Sequence, residues 1–522
     1  MASVTLKNVK KIYPFNGDDA KKKKKKKGEE APEKKVSRLP CSRISRPFRV
    51  RCRAVSKIAV PFPFDNAAFN NAVSGLHQLP LGRIMGADNV HATKGERMYD
   101  TGSTTFMLIC TMLVFLMTPG LAFFYGGLSR RKNVINTMLM CFGAIGLVGV
   151  LWIVAGWSLA YGGDGPSPCI GGLDQLLCLP VLNQVLQAAE GNAADGAVYP
   201  QIINIAFQMA FAMITAAIVT GSLAGRVKFG AMTAFLGIWL LVVYAPLAHM
   251  VWGGDGSFIG DIIGALDFAG GDVVHISSGL TGLILCLMLG RRRGFGMVSY
   301  RPHNVPFVAL GAGLLWFGWF GFNGGSEFKA DAVAALAILN TVTASAAGMI
   351  SWLAVERVHT ARPTLVGAST GLVAGLVVVT PGAGFVEPWA ALVMGLIVSP
   401  VCYLAISHLK TKFGYDDALD AFGCHGIGGI LGGVLTGLFC VPELSWTGKG
   451  GLFYTGDASL LISQILGIVV TVVIVLVLDL VIATVVKALF HGSLRVDEAD
   501  EALGLDASQH GESAYPSFSG LD

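Results

Sequence analysis

Two stretches of the 522-residue chain place an ionisable side chain inside an apolar run. The first is Asp267-Phe-Ala-Gly-Gly-Asp-Val-Val-His-Ile-Ser-Ser-Gly-Leu-Thr-Gly, in which His275 follows Asp267 by eight residues. The second is Asp420-Ala-Phe-Gly-Cys-His-Gly-Ile-Gly-Gly-Ile-Leu-Gly-Gly, which carries His425. Ionisable groups within an apolar span are costly and face a cavity or one another. A neutral imidazole has one donor and one acceptor nitrogen, so it can exchange hydrogen bonds with a small solute or pass a proton. Two such histidines, each preceded by an Asp and followed by small residues, suggest related helices meeting over one path.

Composition identifies the elements that would position them. The chain is 53% apolar and only 14% charged, with a mean hydropathy of +0.60; soluble proteins carry about a quarter charged residues. From Phe106 onward, apolar runs long enough to cross a bilayer recur between short polar turns. The expected fold class is an all-α polytopic membrane protein with eleven transmembrane helices. The spans expected from these runs cover 103–125, 134–161, 201–223, 230–252, the His275 stretch, 305–323, 331–355, 364–380, 389–408, the His425 stretch and 460–489. The 67 glycines suit it, because Gly lets membrane helices approach closely.

Charge placement gives the topology. Fifteen Lys and Arg, among them Arg130, Arg131, Lys132, Arg226, Lys228 and Arg291, follow odd-numbered spans or lie in the tail. Loops after even-numbered spans hold two, Lys329 and Lys449. Basic loops stay cytoplasmic, which puts the N-terminus outside and the tail inside. Phe124-Tyr125-Gly126-Gly127-Leu128-Ser129 ends span 1 and Phe322-Asn323-Gly324-Gly325-Ser326 ends span 6, while the Asp…His spans are the fifth and tenth. The expected architecture is therefore a 5+5 inverted repeat plus a final helix. Such repeats place a substrate path near the midplane between the halves.

Three parts follow. Residues 101–490 form the membrane domain and 491–522 a cytoplasmic tail. Residues 1–100 hold 22 of the 39 Lys and Arg, including an unbroken run from Lys21 to Lys27, and read as a disordered or processed extension with no assigned function. Its first residues are similar to the opening strand of ABC-transporter ATPases, but no Gly-x-x-x-x-Gly-Lys-Ser/Thr loop follows, which excludes an ATPase. Basic residues beside spans report topology and headgroup contact, so the net charge of +5 does not point to nucleic acid. The ten cysteines carry no metal or redox spacing, and no nucleophile–base pair is evident, so neither a cofactor nor a metal nor an enzyme is expected. Cys169 and Cys178 share one loop and would be free to pair if it is extracellular.

Two readings of the polar groups stay open at this level. His275 and His425 are either separate buried histidines or a facing pair sharing one proton. The small residues after each (Ser278, Gly279 and Gly282; Gly428, Gly429, Gly432 and Gly433) allow close helix approach, and the repeat would bring the two together. Trp252, Phe207, Phe211 and Phe322 are either structural aromatics or a cation–π cage above a hydrophobic gate. Asp267 reads both as a helix cap and as a supporting carboxylate.

Phe123-Phe124-Tyr125-Gly126-Gly127-Leu128, His249-Met250-Val251-Trp252-Gly253-Gly254, Asp267 through His275, Trp319 through Ser326, and Asp420 through Gly426 together resemble the Amt/Mep/Rh ammonium transporters, Amt branch. The resemblance covers about residues 100–516. It implies the ammonium-transporter fold, a homotrimer with one pore per subunit, and ammonium uptake across the plasma membrane. By position it implies Trp252, Phe211 and Ser326 as an outer recruitment site, and Phe211 with Phe322 as the gate, beside Phe207. It further implies His275 and His425 as the pore pair, with Asp267 and Asp420 as supporting carboxylates. The tail resembles the family's regulatory C-terminus, with a PII-type regulator or a kinase as candidate partners and Ser508 at the position where plant members carry a phosphorylatable Thr. The alternative activity is an ammonium sensor signalling through that tail.

Overall fold

In the computed structural model the described residues are 99–163, 167–189, 198–297 and 300–515. The expected extension therefore lies almost wholly outside them. Among the described residues eleven helices are long and apolar enough to span a membrane. In chain order they are Thr101–Leu128, Arg131–Tyr161, Gln201–Leu223, Phe229–Trp252, Gly271–Leu289, Val305–Gly325, Ala332–His359, Leu365–Gly382, Pro388–Phe413, Phe422–Phe439 and Ser459–Leu489, numbered spans 1 to 11. Each apolar run read from the sequence is a helix here. The largest difference is at span 9, which runs on to Phe413 because nothing before Gly414 ends the helix; Gly414 itself takes a left-handed φ of +66°.

Spans 3, 5 and 8 are the most enclosed, whereas spans 2 and 11 present many apolar side chains outward. An apolar helix buried all round belongs at the centre of a bundle. Spans 1 and 6, the equivalents in the two halves, pack along one another. Their contact is made by small residues: a Cβ on Gly120 would press on Leu314, and one on Gly311 would meet the backbone of Phe124. Without side chains at those positions the two helix backbones touch.

Cys169 and Cys178 are both free, so the pairing allowed by their shared loop is not made. The loop is held by other means. Trp157 Nε1 donates to Gln175 Oε1 and Ser158 Oγ to the Gly172 carbonyl, at 2.5 and 2.8 Å.

The tail folds back onto the loops after spans 1, 3 and 5. Lys228 N–H donates to the Leu494 carbonyl and Val496 N–H to the Arg226 carbonyl. Farther on, span 2 and the tail helix Leu505–His510 cap each other. Asp506 Oδ1 accepts from the Asn136 N–H at the start of span 2 (2.8 Å), and Asn133 Oδ1 accepts from the Leu505 N–H (2.9 Å). Each helix thus satisfies a backbone donor that the other's end leaves open.

Candidate functional site

The first half-site is built around a break in the chain before span 5. Asp267 Oδ1 accepts from the N–H groups of Gly270 (2.7 Å) and Gly271 (2.6 Å), and Oδ2 from those of Asp272 (2.8 Å) and Val273 (3.4 Å). One carboxylate therefore satisfies the donors that a helix starting inside the bundle would leave unpaired. The turn needs Gly270 at φ +119°, a conformation that side-chain-bearing residues rarely adopt. From there Val274 and His275 donate back to the Gly270 carbonyl, and a π-type turn over Gly271–Ile276 orients His275.

The second half-site repeats this device. Asp417 accepts from the N–H groups of Ala421 (3.2 Å), Phe422 (2.9 Å) and Gly423 (3.4 Å). A left-handed residue follows, here Asp420 at φ +61°, and a π-type turn over Phe422–Gly426 carries His425. The capping carboxylate lies eight residues before the histidine in both halves, and the left-handed residue five before. Asp420, expected as the counterpart of Asp267, is instead the counterpart of Gly270. Its carboxylate lies 2.7 Å from Lys410 Nζ, so it faces the base of span 9 and not the histidine. The eight-residue spacing stated for Asp267 and His275 points to Asp417 when applied to His425.

The two histidines meet. Their Nδ1 atoms are 3.2 Å apart and both rings are buried. Gly279 and Gly429 permit this: a Cβ on Gly279 would strike the backbone of Gly426, and one on Gly429 would press on His275 Cβ. A hydrogen bond between two Nδ1 atoms requires one ring to carry the proton there and the other to accept it. The first ring then has an acceptor at Nε2 and the second a donor. His275 Nε2 is buried with no protein partner, so one of these positions is open to a passing solute. Trp319 stacks on His275 at 5.4 Å and 22°, fixing the ring plane.

On one side of this pair the Phe211 and Phe322 rings lie 4.0 Å apart at 13°, with Phe207 tilted against Phe211 at 4.8 Å. All three are buried, so the path is closed there by apolar surface. Phe322 also lies 6.2 Å from the His275 ring. Beyond the stack opens a vestibule of about 880 Å³ lined by Trp252, Phe211, Ser326, Gln208, Glu327 and Asp261, among others. Trp252 meets Phe211 edge-on at 6.2 Å, and its Nε1 donates to the Asp267 carbonyl (2.8 Å), tying the vestibule wall to the turn that holds His275. Ser326 Oγ donates to the Phe322 carbonyl (2.8 Å), which leaves its lone pairs for a donor in the vestibule.

Residues 105–515 match the profile of the Ammonium Transporter Family. The chain belongs to the ammonium transporter family. An "Ammonium transporter" of Bacillus subtilis is 47% identical over 418 residues, 79% of this chain and 98% of that protein. One of Aquifex aeolicus is 45% identical, with 83% and 98% covered. Among solved structures, Saccharomyces cerevisiae Mep2 aligns with a TM-score of 0.71 at 32% identity, covering 81% of this chain and 93% of that one. A structure described as "Sensor Amt Protein" aligns at 0.69 with 26% identity, covering 78% and 98%.

Within this transporter, three groups that sequence reasoning did not single out now stand beside the path or under it. Asp417 was legible from the eight-residue spacing. Trp319 lies inside a quoted motif, but nothing in its neighbours marks it as the ring beneath His275. Arg226 looked like a topology signal, yet it is fully buried. Its Nε donates to the Gly290 carbonyl and its Nη2 to the Asp416 carbonyl, joining the ends of spans 5 and 9. Burial lowers its pKa to about 10, so it stays cationic at neutral pH. Ser508 sits in the docked tail helix, its Oγ enclosed without a hydrogen-bond partner.

Proposed function

We propose that the protein takes ammonium from outside the cell, deprotonates it at the gate, and passes ammonia between His275 and His425 toward the tail side. The observation that carries this reading is the succession of one open and two closed sections: the vestibule, the Phe211–Phe322 stack with ring centroids 4.0 Å apart, and the Nδ1–Nδ1 pair. Trp252 and Phe211 offer ring faces or edges to a small cation and Ser326 a lone pair, while Asp255 and Asp261 outweigh Lys449 in the vestibule lining and Glu327 is paired with Lys329. An apolar stack refuses a hydrated cation. The histidine pair, with one donor and one acceptor, suits neutral ammonia.

In this reading the protein sits in the plasma membrane with its N-terminus outside and its tail in the cytoplasm, as the basic loops require. It assembles as a homotrimer, in line with the family resemblance. Asp267 and Asp417 hold the two half-sites in register. A PII-type regulator or a kinase acts at the tail, and phosphate on Ser508 would displace its helix, since the enclosed Oγ has no room for a dianion.

A second reading, an ammonium sensor, is favoured by the likeness to the "Sensor Amt Protein" structure and by the many bonds between tail and loops. One experiment separates the two. Yeast lacking ammonium uptake would be grown on low ammonium with the full chain, as wild type and as His275→Ala. Growth restored by wild type alone supports conduction past His275. Equal restoration by both leaves the transporter but removes His275 from its path. No growth despite folded surface protein favours the sensor.

A further inference from the structure

The face of the bundle that carries the tail holds a second opening, remote from the pore. It has a volume of about 420 Å³ and is lined by Arg130, Arg131 and Lys132 at the start of span 2 and by Ser513 and Tyr515 of the tail. Among the described residues three consecutive cations line it and no carboxylate does. We propose that this hollow binds a phosphate-bearing anion, the headgroup of an acidic phospholipid.

Among the described residues the ion pairs are Arg292–Asp416, Lys329 with Glu327 and Asp331, Lys410–Asp420 and Arg495–Glu501. None uses Arg130, Arg131 or Lys132. The two buried carboxylates of the tail are engaged elsewhere: Glu501 with Arg495 and the Arg293 N–H, Asp506 with the Asn136 N–H. The three cations are instead held by neutral groups. The Arg130 guanidinium lies 4.2 Å over the Tyr300 ring, and that of Arg131 lies 5.2 Å over Tyr515. Lys132 Nζ donates to the carbonyls of Glu501 and Ala502. Rings and carbonyls fix these side chains without cancelling their charge, so a polyvalent anion would find a preformed set of donors.

Position favours a lipid over a free ion. Arg131 is the first residue of an apolar span, and Leu139 and Phe142 farther along it are exposed apolar side chains that an acyl chain would cover. A headgroup in the hollow would touch the loop and the tail at once. It would therefore strengthen tail docking, whatever passes through the pore.

The test uses the full chain purified in a neutral detergent, with dioctanoyl phosphatidic acid, dioctanoyl phosphatidylcholine and inorganic phosphate as probes. Thermal unfolding and protease cleavage of the tail are read together. Phosphatidic acid is expected to raise the unfolding temperature and protect the tail, and phosphatidylcholine to do neither. Apparent affinity should fall roughly tenfold in the double variant Arg130→Gln, Arg131→Gln. Ser513→Asp, which puts a carboxylate in the hollow without touching the loop, should weaken binding similarly and serves if the double variant does not fold. An equal response to inorganic phosphate supports the anion site and overturns lipid as its source. No response to either phosphate probe, or an unchanged response in both variants, overturns the site.

Discussion

The two half-sites share a backbone plan and differ in their surroundings. Asp267 and Asp417 each cap a helix that begins inside the bundle, Gly270 and Asp420 each turn the chain at positive φ, and His275 and His425 face each other. Around the first half lie Trp252, Phe211 and Phe322; around the second lie Lys410 and the Arg292–Asp416 pair. Repetition explains how two buried imidazoles come to share one hydrogen bond. The departures from it give the path a direction, with aromatic rings at one end and the ion pairs Lys410–Asp420 and Arg292–Asp416 at the other.

The largest effect should come from removing the caps. Asp267→Ala would leave four backbone N–H groups unpaired in the bundle, a loss of about 6 kcal/mol, and Asp417→Ala three, about 4 kcal/mol. Both should cut the yield of folded protein, Asp267→Ala more. A large loss in thermal unfolding for one variant with none for the other would break the parallel between the halves.

Next comes the seam between them, where Arg292 after span 5 lies 2.6 Å from Asp416 before span 10. Burial pushes the Asp416 carboxyl up, but the Arg292 guanidinium overrides this and holds it below the usual carboxylate range. A depressed carboxylate contributes stability at pH above its unfolded value and loses it as pH falls through the folded one. Arg292→Met should therefore cost about 3 kcal/mol at neutral pH. The gap to wild type should close below about pH 4. A gap that persists in acid would show that Arg292 acts through packing alone.

Smaller changes probe the asymmetry. Trp252→Leu removes a cage face worth about 1–2 kcal/mol, so the half-saturating ammonium concentration should rise roughly tenfold with the maximal rate kept. A fall in the maximal rate alone would place Trp252 in the support of Asp267. The smallest effect is expected from Lys410→Met. Its ion pair with Asp420 is partly exposed, so loss should cost under about 1 kcal/mol in thermal unfolding. A cost comparable to that of Asp417→Ala would show that Lys410, whose Nζ also donates to the Asp417 carbonyl, is itself a support of the second half-site.

How far the chain could be read depended on the length of the signal. Eleven spans follow from apolar runs, because a bilayer leaves a backbone no choice but to close its own hydrogen bonds. His275 and His425 stood out because charge-capable groups are rare in such runs. Asp416, Asp417 and Asp420 lie close together before His425; the eight-residue spacing selects Asp417 among them, and the cap geometry agrees. The free thiols of Cys169 and Cys178, the burial of Arg226, and the mutual capping of Asp506 and Asn133 left no periodic trace.

By itself, then, the sequence determined what each residue could do and which segments must be helical, since transfer cost and backbone satisfaction act locally along the chain. The tertiary structure alone decided which groups meet. The 3.2 Å approach of two imidazoles 150 residues apart depends on glycines of two helices packing backbone to backbone. Contacts of that kind are set by the relative placement of whole helices, which no local pattern encodes.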